Sequence, residues 1–211
     1  MNLTKNNIIN LKITSATAEG SGVGKTEEGI AVFVPLSAIG DELEVRILKT
    51  KKTYAFGKIE RIITPSSSRI EVDCPQFSKC GGCVWRHISY EEECKIREMR
   101  VYDSITRIGG ISDFEFKPII ACENTERYRN KAQFPVGVDK DKRPIFGFYS
   151  FHSHRIIECD DCLLQPEIFS KVIDITKQFF VSSDNTIAFC FFGDIKANTP
   201  FFFQKVLAFF L

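Results

Sequence analysis

The stretch "CPQFSKCGGC" sets Cys74, Cys80 and Cys83 within ten residues, separated by five residues and then by two. Three cysteines so close can serve as a disulfide staple, a zinc site or a redox-active group. The surroundings narrow that choice. The N-terminus "MNLTKNNIINLKI" has no charged start, apolar run or small-residue cleavage site, and no stretch approaches the roughly 18 apolar residues that span a bilayer. A cytoplasmic protein away from any membrane is therefore expected. In a reducing cytoplasm the eight cysteines are not expected to pair as disulfides, and clustered ones read as metal ligands or catalytic groups.

The rest of the chain supports a packed protein rather than a disordered tail. With 211 residues, 44% hydrophobic and 26% charged, it can bury one large core or two small ones. A formal net charge of +1 excludes coating nucleic acid through bulk charge, so any such surface must be local.

Four regions follow. Residues 1–63 alternate short β-type runs with turn residues, as in "LKITSATAEG" and "GIAVFVPLSAIGDELEVRIL", and period two predicts a small antiparallel barrel of four to five strands. "PSSSR", Pro65 to Arg69, reads as a linker. Residues 70–110 hold the cysteine loop and a helix opened by a Ser89/Glu92 capping box and stopped at Gly109 and Gly110. Its inner face is expected to carry Tyr90, Cys94, Val101, Ile105 and Ile108, which makes Cys94 core rather than ligand.

In residues 111–187, "FEFKPIIA", "KAQFPVGV", "PIFGFYS" and "HRIIE" predict strands, with a hairpin turn at Asp139 to Pro144. A helix from about Pro166 is expected to bury Phe169, Val172, Ile173, Thr176 and Phe180. Residues 188–211 change character, with eight Phe among 24 residues, and read as a tail from truncation or a shifted frame. The whole is α+β.

"EGSGVGKT" invites a phosphate-loop reading and fails it. The glycine required five positions before Gly24 is Glu19, and "EEGIAVFVP" leads into a strand where a helix N-terminus is needed. The glycines fit a tight turn of positive φ. "RILKTKKTYAFGKIER" carries more: Arg46, Lys49, Lys51, Lys52, Lys58 and Arg61 surround Tyr54 and Phe56. Cations track phosphates while aromatic faces stack on unpaired bases, as in small oligonucleotide-binding barrels.

The spacing of the cysteine loop leaves zinc and an iron–sulfur cluster open, since both accept four thiolates. Only one CxxC knuckle is present, and a fourth thiolate must come from Cys159 or Cys162 in "IIECDDCLLQP".

"CPQFSKCGGCVWRHISYEEECKIRE", "ERYRNKAQFPVG" and "DDCLLQP" resemble the cluster-bearing RNA uracil-C5 methyltransferases, and the first sixty residues look like the TRAM domain, an oligonucleotide-binding-type barrel. The resemblance covers about residues 1 to 185. It implies a 4Fe-4S cluster on Cys74, Cys80, Cys83 and Cys162, with Cys159 as the competitor and with Trp85 and His87 packed beside it. RNA, ribosomal or transfer, is the implied partner. Lys49, Lys51, Lys52, Tyr54, Phe56, Lys58, Arg129 and Lys131, together with Arg127, are its expected contacts.

The family's reaction adds a cysteine to uracil C6, methylates C5 from S-adenosylmethionine and removes the C5 proton. Those groups belong to a C-terminal α/β domain, which is expected to be missing. No catalytic residue is assigned, since Cys122 and Cys190 have other neighbours than the family's nucleophile, and a monomer without transfer activity is expected. A stand-alone RNA-binding iron–sulfur protein, a zinc-bound scaffold and a radical methylthiotransferase are the competing classes. The last is disfavoured by its three-and-two cysteine spacing and opposite barrel position.

Overall fold

The computed structural model describes residues 3–141 and 143–182. Cys190 and the Phe-rich stretch lie outside the described residues. The chain forms two compact units, the first ending at Thr125 and the second beginning at Glu126.

In the first unit β1 (Ile8–Ala16), β2 (Ser21–Lys25), β3 (Ala31–Pro35), β4 (Glu42–Thr50) and β5 (Tyr54–Thr64) close into a barrel in the order β1-β2-β3-β5-β4. Neighbours are antiparallel except β3 and β5, which run parallel. The period-two pattern explains the closure. In β4, Leu43, Val45 and Ile47 point inward and are fully buried, while Glu42, Glu44 and Arg46 alternate with them on the outside. Leu11, Ile13, Val32, Val34 and Ala55 complete the core, and each of its larger aliphatic side chains contributes about 1.5–3 kcal/mol by leaving water.

The rejected phosphate loop runs from the β1–β2 turn, which holds Gly20, into β2, which holds Gly22 and Gly24; of these glycines only Gly20 has the positive φ expected of a turn. Gly20 sits at φ +90°, and a Cβ on Gly24 would fall 2.4 Å from the Lys12 carbonyl oxygen. Gly20 is needed for its positive φ, and Gly24 to let β1 and β2 approach.

Pro65 to Arg69 is packed rather than loose. The fully buried Asp41 carboxylate accepts hydrogen bonds from the amides of Ala38 (2.7 Å) and Ser66 (2.9 Å) and from Arg69 Nε (2.8 Å) and Nη2 (2.7 Å). Arg69 Nη2 also donates to the Leu36 carbonyl at 3.0 Å. Beyond it the amide of Ile70 donates to the His87 carbonyl and that of Ser89 to the Ser68 carbonyl. Ala38, Trp85, Ile88 and Ile96 form a second buried cluster, and a Cβ on Gly20 would meet Val84 Cβ at 2.5 Å. Barrel, cysteine loop and first helix thus make one unit, where residues 65–69 read as a linker from sequence. Serines and a proline carry no periodic signal, and a single long-range ion pair decides the packing.

Helix α1 (Tyr90–Asp103) opens as expected: the Ser89 hydroxyl accepts from the Glu92 amide at 3.3 Å. A π-helical turn, Ser104–Ile108, prolongs it to Gly109, with Gly110 at φ +66°. The expected inner face is corrected. Cys94 and Ile96 are buried, but Val101 is 53% and Ile108 85% exposed. Trp85 and Ile88 pack against Ile96, so cover is confined to the early turns, and the wider π turn takes Ile108 off the stripe.

"FEFKPIIA" is not a strand. Pro118 can donate nothing to a ladder, and the segment spends its groups on α1. Phe114 and Phe116 lie 6.0 and 5.3 Å from the Tyr102 ring, the Ile119 amide donates to Glu98 Oε1, and the Cys122 amide donates to the Tyr90 hydroxyl.

In the second unit β6 (Val136–Val138), β7 (Pro144–Tyr149) and β8 (Ile156–Glu158) form an antiparallel sheet in that order. The expected hairpin is present, closed by the Asp139 amide donating to the Arg143 carbonyl at 2.9 Å, whereas only the last three residues of "KAQFPVGV" pair. Helix α2 (Ile168–Ser182) keeps its predicted face: Ile173 is buried and the Phe180 ring lies 6.1 Å from Phe146. Among the described residues no helix is long and apolar enough to cross a membrane.

Candidate functional site

The β4–β5 hairpin divides the basic residues into two groups. On the outer face of the strands, Arg46 grips Glu60 with two bonds of 2.8 Å, and Arg61 grips Glu44 at 3.1 and 2.8 Å. Hydrogen bonds from these arginines hold both glutamates below the ordinary carboxylate range. Arg46 and Arg61 are therefore spoken for.

At the tip, where the Lys51 amide donates to the Tyr54 carbonyl at 2.8 Å, Lys49, Lys51 and Lys52 are exposed. They pair with no carboxylate among the described residues. Beside them Phe33, Tyr54 and Phe56 form a ring cluster with centroids 5.5 to 5.7 Å apart. Phe56 is 40% exposed and Lys58 is exposed on the same strand. Cations beside an open aromatic face suit a single strand with unstacked bases. The cluster includes Phe33, which sequence reasoning missed: its register opposite Phe56 on a parallel strand pair leaves no local pattern.

The cysteine loop turns tightly. The Phe77 amide donates to the Cys74 carbonyl (3.1 Å) and the Cys80 amide to the Gln76 carbonyl (2.8 Å), with Ser78 at φ +67°. The Gly82 amide donates to Cys80 Sγ at 3.3 Å. Cys74, Cys80 and Cys83 are half-buried reduced thiols.

A two-toothed ion pair closes the neck of the loop, Arg86 Nε to Asp73 Oδ1 at 2.6 Å and Nη2 to Oδ2 at 2.7 Å. His87 is buried between the rings of Phe77 (5.5 Å) and Trp85 (6.3 Å). Its Nε2 donates to the Ser37 carbonyl at 3.3 Å, and Nδ1 has no partner among the described residues. Burial pushes this imidazole down, so it is neutral at pH 7.

In the second unit Cys159 is buried. Its amide extends the β7–β8 ladder to the Phe146 carbonyl, and its thiol donates to the Asp161 carbonyl. Cys162 is half-buried on the following loop.

Arg127, expected on RNA, is committed elsewhere. Nη1 donates to Asp161 Oδ1 (2.6 Å), to the Gln165 carbonyl (2.9 Å) and to the Cys162 carbonyl (3.3 Å), and Nη2 donates to Asp161 Oδ2 (2.8 Å). Those bonds, followed by one from the Ser170 hydroxyl, hold Asp161 below its ordinary value. Arg129 and Lys131 are exposed.

Among the described residues no three His, Cys, Asp or Glu side chains are grouped to hold a metal. The donor chemistry nonetheless fits an iron–sulfur cluster: soft thiols, partly buried, one already accepting an amide hydrogen bond of the kind that tunes cluster sulfurs.

Residues 3–59 match the TRAM domain model. The chain is 43% identical over 175 residues to an uncharacterized RNA methyltransferase of Clostridium tetani, covering 83% of this chain and 37% of that protein. It is 39% identical over 176 residues to another from Halalkalibacterium halodurans, covering 83% and 38%. The chain therefore spans a little over a third of the length of these curated relatives. Among solved structures, the Pyrococcus abyssi tRNA (uracil-54, C5)-methyltransferase in complex with S-adenosyl-L-homocysteine superposes with a TM-score of 0.53 at 20% identity, over 82% of this chain and 37% of that one. At that identity the likeness is one of fold.

Proposed function

We propose that the chain, with its TRAM domain and its RNA methyltransferase relatives, is a member of the TRAM-containing RNA uracil methyltransferase family and supplies the RNA-holding face of an enzyme that makes 5-methyluridine in ribosomal or transfer RNA, with S-adenosylmethionine as methyl donor. One observation carries the reading: at the barrel's hairpin tip Lys49, Lys51 and Lys52 lie beside the open face of Phe56, while the neighbouring arginines are neutralised. The lysines follow phosphates, and Phe56 and Tyr54 take unstacked bases. Lys58 adds charge on the barrel, and Arg129 and Lys131 are exposed cations of the second unit proposed to contact RNA as well. No described residue is assigned a catalytic role or a contact with S-adenosylmethionine.

Cys74, Cys80, Cys83 and Cys162 are proposed to hold a 4Fe-4S cluster, which when bound supplies a rigid thiolate-held anchor. Metal analysis of anaerobically purified protein is expected to give iron and sulfide in equal amounts, about four of each per chain. One zinc per chain would replace the cluster by a scaffold site. RNA binding is tested by fluorescence anisotropy with a uridine-containing single strand against a duplex of the same sequence. Tighter binding to the single strand is expected, with log K falling as salt rises by about 0.7 per phosphate engaged. Equal affinity for both would sink the stacking role. Transfer of a labelled methyl group separates an enzyme from a protein that only binds RNA.

A further inference from the structure

Two of the four proposed cluster ligands stand directly after an aspartate, Asp73 before Cys74 and Asp161 before Cys162. Each aspartate is gripped by both teeth of one arginine from a distant stretch, Arg86 in the first unit and Arg127 in the second. In each fork the guanidinium is the more covered partner: Arg86 is 14% exposed against 52% for Asp73, and Arg127 30% against 46% for Asp161.

Arg127 adds main-chain grips. Besides its bonds to the Cys162 and Gln165 carbonyls, its own amide donates to the Leu163 carbonyl at 2.8 Å, and the Arg129 amide donates to the Leu164 carbonyl at 2.9 Å. Arg127 stands at φ +55° to make them, a conformation that costs an L residue of this size something and persists only where surrounding bonds impose it. The Ser170 hydroxyl of α2 donates at 2.8 Å to Asp161 Oδ1, the oxygen that Arg127 Nη1 also binds. By contrast Cys159 is spent in the sheet and the core.

We propose that Arg86 and Arg127 are positioning residues for the cluster, each fixing through the preceding aspartate the backbone from which Cys74 or Cys162 presents its thiol. The assignment rests on the cluster reading above. A guanidinium suits the task because its planar fork fixes direction as well as charge, which an ammonium cannot.

The test uses the whole chain, loaded anaerobically with iron and sulfide, as wild type and as Arg86→Gln, Arg127→Gln, Arg86→Lys, Arg127→Lys and Cys162→Ser. Iron release to a chelator is followed by loss of visible absorption. Each Gln variant is expected to release iron about 10- to 100-fold faster than wild type, the range seen when groups behind a ligand are removed, with the Lys variants in between. A second readout needs no iron: alkylation rates of individual cysteines in the apo chain, followed by peptide mass spectrometry. Arg127→Gln is expected to change the rate at Cys162 several-fold and leave Cys94 and Cys159 unchanged, and Arg86→Gln is expected to act in the same way at Cys74. Wild-type release rates in both Gln variants, or an equal rise at every cysteine as from general unfolding, would overturn the assignment while leaving the cluster in place. A wild-type chain that takes up no iron overturns the cluster reading and the assignment with it.

Discussion

Asp41→Ala is expected to lower the melting temperature of the first unit by roughly 10–20 °C, from a loss of about 3–5 kcal/mol. The substitution strips a fully buried carboxylate from four donors at once. It leaves the Arg69 guanidinium, 18% exposed, without its counter-charge and the Ala38 and Ser66 amides without an acceptor. Trp85, the single tryptophan, is buried in the cluster that joins barrel and cysteine loop, so its emission should redden in the same transition. A melting point within about 2 °C of wild type would mean that the pair does not hold the unit together.

The same group sets an acid limit. Burial alone would push the Asp41 carboxyl up, but the bonds from Arg69, Ala38 and Ser66 outweigh it and hold the carboxyl below its ordinary 3.8. A depressed folded pKa stabilises fully above the unfolded value and is lost as pH falls through the folded one. The melting difference between wild type and Asp41→Asn should accordingly be constant from pH 7 down to about 5 and shrink below the ordinary aspartate value.

The second large effect concerns RNA. Changing Lys49, Lys51 and Lys52 together to Ala is expected to weaken single-strand binding roughly 10- to 100-fold at low salt and to make the salt dependence shallower by about 2 in log–log slope, three contacts at about 0.7 each. Phe56→Ala should cost about 1–3 kcal/mol of affinity with the slope unchanged, since stacking releases no counterions. Arg46→Ala is the control. Its guanidinium is held by Glu60, and its loss should leave affinity within about twofold. If Arg46→Ala weakens binding as much as the triple lysine variant, RNA runs along the strands and not over the tip.

The barrel was legible because alternation is a local property: "ELEVRIL" states which side chains go in and which stay out before any partner strand is known. The Ser89 cap, the Asp139 to Pro144 hairpin and the face of α2 were legible for the same reason. What escaped the sequence was decided at a distance. Asp41 finds Arg69 from 28 residues away, Asp73 finds Arg86 from 13, and Arg127 finds Asp161 from 34. A charged side chain announces neither its partner nor its burial, so Arg46, Arg61 and Arg127 read as cations available to RNA when each was already bound to a carboxylate. "FEFKPIIA" has the alternation of a strand but no partner to pair with. Of the candidate ligands, spacing identified the loop, but nothing in the spacing hinted at the aspartates that tether it.

The packing of Pro65 to Arg69 also bears on how this protein can be cut and recombined. A fragment ending at residue 64 would carry every strand of the barrel and still be defective, because it would export a buried carboxylate while leaving its guanidinium behind. The barrel is thus not a cassette here. Chimeras that join a foreign barrel at residue 65 inherit an arginine with nothing to neutralise it, whereas a junction between Thr125 and Glu126 keeps Asp41 and Arg69 on the same side of the seam.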